Sequence, residues 1–80
     1  LSFPALIGAV RKAYRWSRRE VSEQLGFPCM KLYNLEHGFF VKPLEYEQIK
    51  KMADLYGLDA KMLMNKAVDY VISGLNKARV

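Results

Sequence analysis

Five side chains able to do chemistry fall close together in the segment GFPCMKLYNLEHG: Cys29, Lys31, Tyr33, Asn34 and His37. A thiol and an imidazole invite a nucleophile and base reading. On a helix, though, Cys29 and His37 stand eight positions apart, roughly 12 Å along the axis, so the pair is out of reach. The chain holds one cysteine and one histidine, which cannot build a zinc site without other ligands. Neither a glycine-rich phosphate loop nor a paired-carboxylate motif is present. No enzyme is expected, nor any metal or cofactor. Amide, hydroxyl and ammonium groups on a short helix are better suited to contacting another molecule.

Charge indicates what that molecule is. Net charge is +5, and most of it lies early: Arg11, Lys12, Arg15, Arg18, Arg19, Lys31 and Lys42 face only Glu20, Glu23 and Glu36 in the first 43 residues. Such asymmetry points to a polyanionic partner, although a charged run also serves as a plain solvated face.

The elements that must position these groups are helical, because apolar residues recur at three and four rather than at two. The expected class is all-α, with five helices. Helix 1 starts after Ser2 with Pro4 in its first turn, carries a buried stripe of Phe3, Leu6, Ile7, Val10 and Tyr14, and ends near Arg15. Ser17 and Glu20 form a capping box that opens helix 2, about Arg18 to Leu25, and Gly26 stops it. Pro28 fits the start of helix 3, Leu32 and Leu35 give it core contacts, and Gly38 ends it. Residues 39 to 43 form a loop. Ile49, Met52, Ala53 and Tyr56 mark helix 4, closed by Gly57, and Asp59 caps helix 5, which runs to about Ala78. Eighty residues allow one domain with a modest core, spanning 1–80, with the core at 3–64 and the last helix at 60–78.

Two short helices joined by Gly26-Phe27-Pro28, with basic charge around them, describe a helix-turn-helix unit. Residues 6 to 64 also resemble the phage Cro and repressor family, the XRE-type, lambda repressor-like helix-turn-helix proteins that bind DNA. The residues carrying the resemblance are Arg11, the run Ser17-Arg18-Arg19-Glu20-Val21-Ser22-Glu23-Gln24-Leu25-Gly26, then Leu32, Leu35, Glu36, Gly38 and Pro43, and finally Ile49, Ala53, Leu55, Gly57, Leu58 and Leu63. The resemblance implies transcriptional regulation through double-stranded DNA, with helix 3 in the major groove and helix 2 across the phosphates. It also implies a structural ion pair between Arg11 and Glu36.

Turning about 100° per residue from Leu32 and Leu35 puts Met30, Tyr33, Asn34 and His37 on the outward side, with Cys29 and Lys31 on its flanks. Candidate base contacts are therefore Cys29, Met30, Lys31, Tyr33 and Asn34. Asn34 can pair bidentately with adenine, and Lys31 can reach guanine or phosphate. Cys29 and Met30 offer only apolar contact where the family usually carries Gln, Ser, Thr or Arg, so sharp specificity is not implied. Candidate phosphate contacts are Arg15, Arg18, Arg19, His37 and Lys42. Arg18 replaces the family's usual phosphate-binding glutamine, and Arg15 replaces the glycine that usually ends helix 1.

Helix 5 carries an apolar stripe of Leu63, Met64, Ala67, Val68, Val71, Ile72 and Leu75, too wide to leave in water. It either folds onto helix 1 or builds a homodimer through Met64, Val68, Val71, Ile72 and Leu75, and the dimer is preferred. The alternative function is a protein-interaction module that keeps the fold and docks a protein partner on the Met30 and Tyr33 face or on helix 5. No apolar run is long enough to span a membrane, and the single cysteine is compatible with a reducing compartment. A soluble, cytoplasmic chain is expected, and a start at Leu1 rather than methionine fits a piece trimmed from something longer.

Overall fold

The structure is a computed structural model that describes residues 1–39 and 44–78, with the side chains of 75–78 left aside. Among the described residues it is all-α, with five helices and no strand: α1 Phe3–Ala13, α2 Arg18–Leu25, α3 Cys29–Glu36, α4 Tyr46–Tyr56 and α5 Ala60–Ala78. None is long and apolar enough to cross a membrane.

Each start and stop has a local cause. The Ser2 hydroxyl accepts from the Ala5 amide at the head of α1. Ser17 and Glu20 bond each other's amides at 3.1 Å to open α2, and Gly26 ends it in the left-handed conformation. The Pro28 carbonyl takes the Lys31 amide as α3 begins. Asp59 accepts from the Met62 amide at 2.8 Å to open α5. Each such cap satisfies donors that a helix end would otherwise leave unpaired.

The core is one cluster built from Phe3, Ile7, Val21, Leu25, Phe27, Leu32, Leu35, Ile49, Met52, Ala53, Tyr56 and Leu63. It clamps α2 and α3 together and seats α3 on α1 and α2 on α4. α5 packs on α4 and α1, with Met64, Ala67 and Tyr70 against the core. The Tyr70 ring lies 6.0 Å from that of Phe3, and the Lys66 ammonium donates to the Leu1 carbonyl. Of the two expected fates of α5, folding onto α1 is seen on one side of the helix, while Val68 and Ile72 on it stay exposed at 45% and 49%.

Two expectations need correction. Tyr14 is not in the buried stripe: α1 ends at Ala13, two residues before Arg15, and Tyr14 sits beyond it half in water, its ring stacked 4.4 Å from Trp16 and its hydroxyl donating to the Tyr56 carbonyl. Leu6 and Val10 are only half-buried. The positions that α1 does bury beside Phe3 and Ile7 are Pro4, Gly8 and Arg11, so the buried face is turned toward the Arg11 side. Arg15 is the described non-glycine residue with positive φ, +60°. It takes the left-handed turn that glycine would take more cheaply.

Candidate nucleic-acid interface

Glu36 organises the site. Its carboxylate, with only 3% of the side chain exposed, accepts from Arg11 Nε at 2.6 Å and Arg11 Nη2 at 2.9 Å. A third bond comes from Arg18 Nε at 2.9 Å. Arg11 is itself buried and gives its Nη1 to the Trp16 carbonyl at 2.8 Å, tying the turn after α1 to the end of α3. Burial pushes the Glu36 carboxyl up, but the bonds from Arg11 and Arg18 outweigh it and hold it below the ordinary carboxylate value. The Glu36 bonds also raise Arg11. Both partners of the pair therefore stay charged.

The expected Arg11 and Glu36 pair is present as a bidentate fork, and Arg18 joins it. The Arg18 guanidinium also lies 5.0 Å from the Tyr33 ring centroid. Arg18 is thus part of the scaffold as well as a partly exposed cation, and among the described residues its two terminal nitrogens make no hydrogen bond. Arg19 is more loosely held, in an exposed 3.4 Å contact with Glu23, a kind of pair worth roughly 0–1 kcal/mol.

Along α3 the outward stripe is uneven. Met30 is 66% exposed and Cys29, Tyr33 and His37 are exposed, but Asn34 is half-buried. Its backbone carbonyl accepts from the Phe39 amide at 2.9 Å, which closes the turn after α3. Lys31, also half-buried, sets its ammonium 5.6 Å from the Phe27 ring centroid. His37 stacks on Tyr33 at 4.0 Å, and its Nδ1 bonds the Tyr33 carbonyl at 2.8 Å.

Arg15 is exposed in the turn between α1 and α2. Lys42 lies outside the described residues, as does the Leu75 side chain. Among the described residues no group of three His, Cys, Asp or Glu could hold a metal ion.

Reading the sequence missed Trp16 and Phe39. Trp16 stacks between Tyr14 and Tyr56, at 4.4 and 6.2 Å. Phe39 stands 53% exposed beside His37. Both lie in turns, where helical periodicity is silent; the signal available was an aromatic residue directly after a helix stop.

No protein-family model matches the chain, and no curated protein or solved structure is significantly similar to it.

Proposed function

We propose that this chain binds double-stranded DNA as a transcriptional regulator of the phage Cro and repressor, XRE-type helix-turn-helix kind. α3 would enter the major groove, and α2 would lie across the phosphate backbone. The observation that carries the reading is the exposed face of α3 beside the two arginines that open α2, on a scaffold fixed by Arg11, Arg18 and Glu36. Arg18 and Arg19 supply the phosphate contacts, with Arg15 and His37 beside them. Met30, Cys29, Lys31, Tyr33 and Asn34 face the bases. Met30 and Cys29 read little, and Tyr33 is held by Arg18 and His37, so selectivity falls mainly on Asn34 and Lys31. A cytoplasmic location goes with this reading.

A homodimer completes it. Val68 and Ile72, one turn apart on α5 and both exposed, form the centre of a two-fold contact with Met64 and Val71 at its edge. Two-fold pairing sets two α3 helices about one DNA turn apart.

The test is binding to labelled duplex DNA across a salt series. Each phosphate contact adds about 0.9 to the slope of log affinity against log salt. Arg18→Ala with Arg19→Ala is expected to lower affinity and flatten the slope by roughly 2. No duplex binding even at low salt would sink the proposal and favour a protein partner.

A further inference from the structure

We infer that the C-terminal end of α3 takes an unpaired nucleotide of a single-stranded nucleic acid, its base on an exposed aromatic cluster and its phosphate in an adjoining basic hollow. The cluster is Tyr33, His37 and Phe39. Tyr33 and His37 stack at 4.0 Å and 24°, His37 and Phe39 lie 5.9 Å apart at 20°, and Tyr33 and Phe39 are 6.4 Å apart. His37 is therefore nearly parallel to both neighbours, while the planes of Tyr33 and Phe39 are tilted 44° to one another, and the three rings form one contiguous aromatic patch. Phe39 is more exposed than Tyr33, 53% against 38%, yet its backbone is fixed: its amide donates to the Asn34 carbonyl, and its carbonyl accepts from the Tyr70 hydroxyl. An aromatic residue held in water by its own main chain is poised to meet another flat surface.

The charges around the cluster select the ligand. A hollow of about 280 Å³ between α1 and α3 is lined by Lys12, Arg18 and His37, with the small residues Gly8 and Ala9 opening its wall. Glu36 also lines it, but that carboxylate is almost wholly covered and engaged by Arg11 and Arg18. The hollow therefore presents the cations of Lys12 and Arg18. Cations beside exposed ring faces are the chemistry that holds single strands, because a strand offers both phosphates and free base faces. In a duplex the base faces are buried against each other and only edges are offered. The inference goes beyond duplex binding, although the two share Arg18 and His37.

Binding of the intact chain to a labelled oligothymidine, to an abasic strand of equal length and to a duplex tests it. The base-bearing strand should bind more tightly than the abasic one. Phe39→Ala should weaken the base-bearing strand about 5- to 150-fold while leaving the abasic strand unchanged. Phe39→Trp should keep the preference, and Lys12→Ala should weaken both strands alike. Circular dichroism of the Phe39 variants checks that they fold. Equal binding of base-bearing and abasic strands, or a base preference that survives Phe39→Ala, overturns the inference. No strand binding at low salt also overturns it and leaves the aromatic surface to a protein partner. Duplex binding without base-dependent strand binding overturns this inference alone, whereas strand binding without duplex binding refutes only the duplex reading.

Discussion

Glu36→Ala is the substitution that most directly probes how the scaffold holds the interface. The carboxylate accepts three N–H bonds, two from Arg11 and one from Arg18. Without it Arg11, a buried residue, keeps only the Trp16 carbonyl and becomes a guanidinium with a single partner in the protein interior. Removing one side of a buried ion pair costs about 3–5 kcal/mol. Arg18 adds little to that loss, because its side chain is 30% exposed and can turn to water. A chain of this size has a total stability on the order of 4–12 kcal/mol, so Glu36→Ala should be close to unfolding. Glu36→Gln keeps the shape and one acceptor but loses the charge, and should cost about 1.5–3 kcal/mol.

Urea unfolding followed by circular dichroism reads both variants. With a slope of about 1 kcal/mol per molar, the Gln variant should lose roughly 1.5–3 M in midpoint. The two should also differ from the parent in acid. Glu36 has a folded value held below its ordinary 4.5, so its contribution is present above 4.5 and is lost as pH falls through the lower folded value. Glu36→Gln lacks that titration, and its stability should fall less steeply in acid. The flattening is partial, because Glu20 is also lowered by its bonds to Ser17. If both variants lost less than ~1 kcal/mol at neutral pH, the ion pair would be a surface ornament and the scaffold reading would be wrong.

Three further outcomes follow from particular residues. Among the described residues the buried Tyr56 hydroxyl meets no hydrogen-bond partner, and burial pushes its ionisation up. Tyr56→Phe should therefore leave thermal stability unchanged or raise it by up to ~1 kcal/mol; a loss larger than that would reveal a partner for the hydroxyl. Arg15→Gly relieves a left-handed backbone at φ +60°, worth about 1–2 kcal/mol, against about 0.4–1 kcal/mol of added unfolded-state freedom. A small net gain is expected on thermal melting, and a destabilised variant would contradict the strain argument. Val68→Asp with Ile72→Asp places charge on two exposed residues, so under the proposed dimer sedimentation should show a dimer for the parent and a monomer for the variant, with the helical spectrum intact; equal masses for the two would remove α5 from that proposal.

How far the fold could be read from the sequence depended on whether a residue's role was local. The caps Ser2, Ser17, Glu20 and Asp59, and the stops Gly26 and Gly57, act within four residues of themselves, and each helix boundary they imply is met within a residue or two. The buried positions Leu32 and Leu35 follow from period alone. The Arg11 and Glu36 pair spans 25 residues and was reached only through the resemblance, since no spacing rule joins two helices. Arg18's place on Glu36 was not legible by either route. Its charge reads as a surface cation, and only the approach of α2 to the end of α3 brings Nε within 2.9 Å of a carboxylate that Arg11 has already neutralised. Tyr14 failed for a related reason: helical phase places it inside, but the helix ends before it, and the stack with Trp16 draws the ring out.

Arg18 also changes how any binding loss should be understood. The same side chain completes the buried carboxylate, covers the Tyr33 ring and faces the basic hollow. A ligand phosphate drawn to its terminal nitrogens need not break the Nε bond to Glu36, because the planar fork presents several donors at once. Under the proposed function binding and folding would therefore be coupled through one guanidinium rather than set against each other, because the Nε bond to Glu36 fixes a side chain that is still 30% exposed. Arg19, exposed and loosely paired with Glu23, carries no such structural duty. A loss of affinity on removing Arg19 reports charge alone, whereas the same loss on removing Arg18 combines charge with the displacement of Tyr33 and Glu36. The Arg18 part can be assigned to phosphate contact only when the salt slope, which counts charges, falls with it.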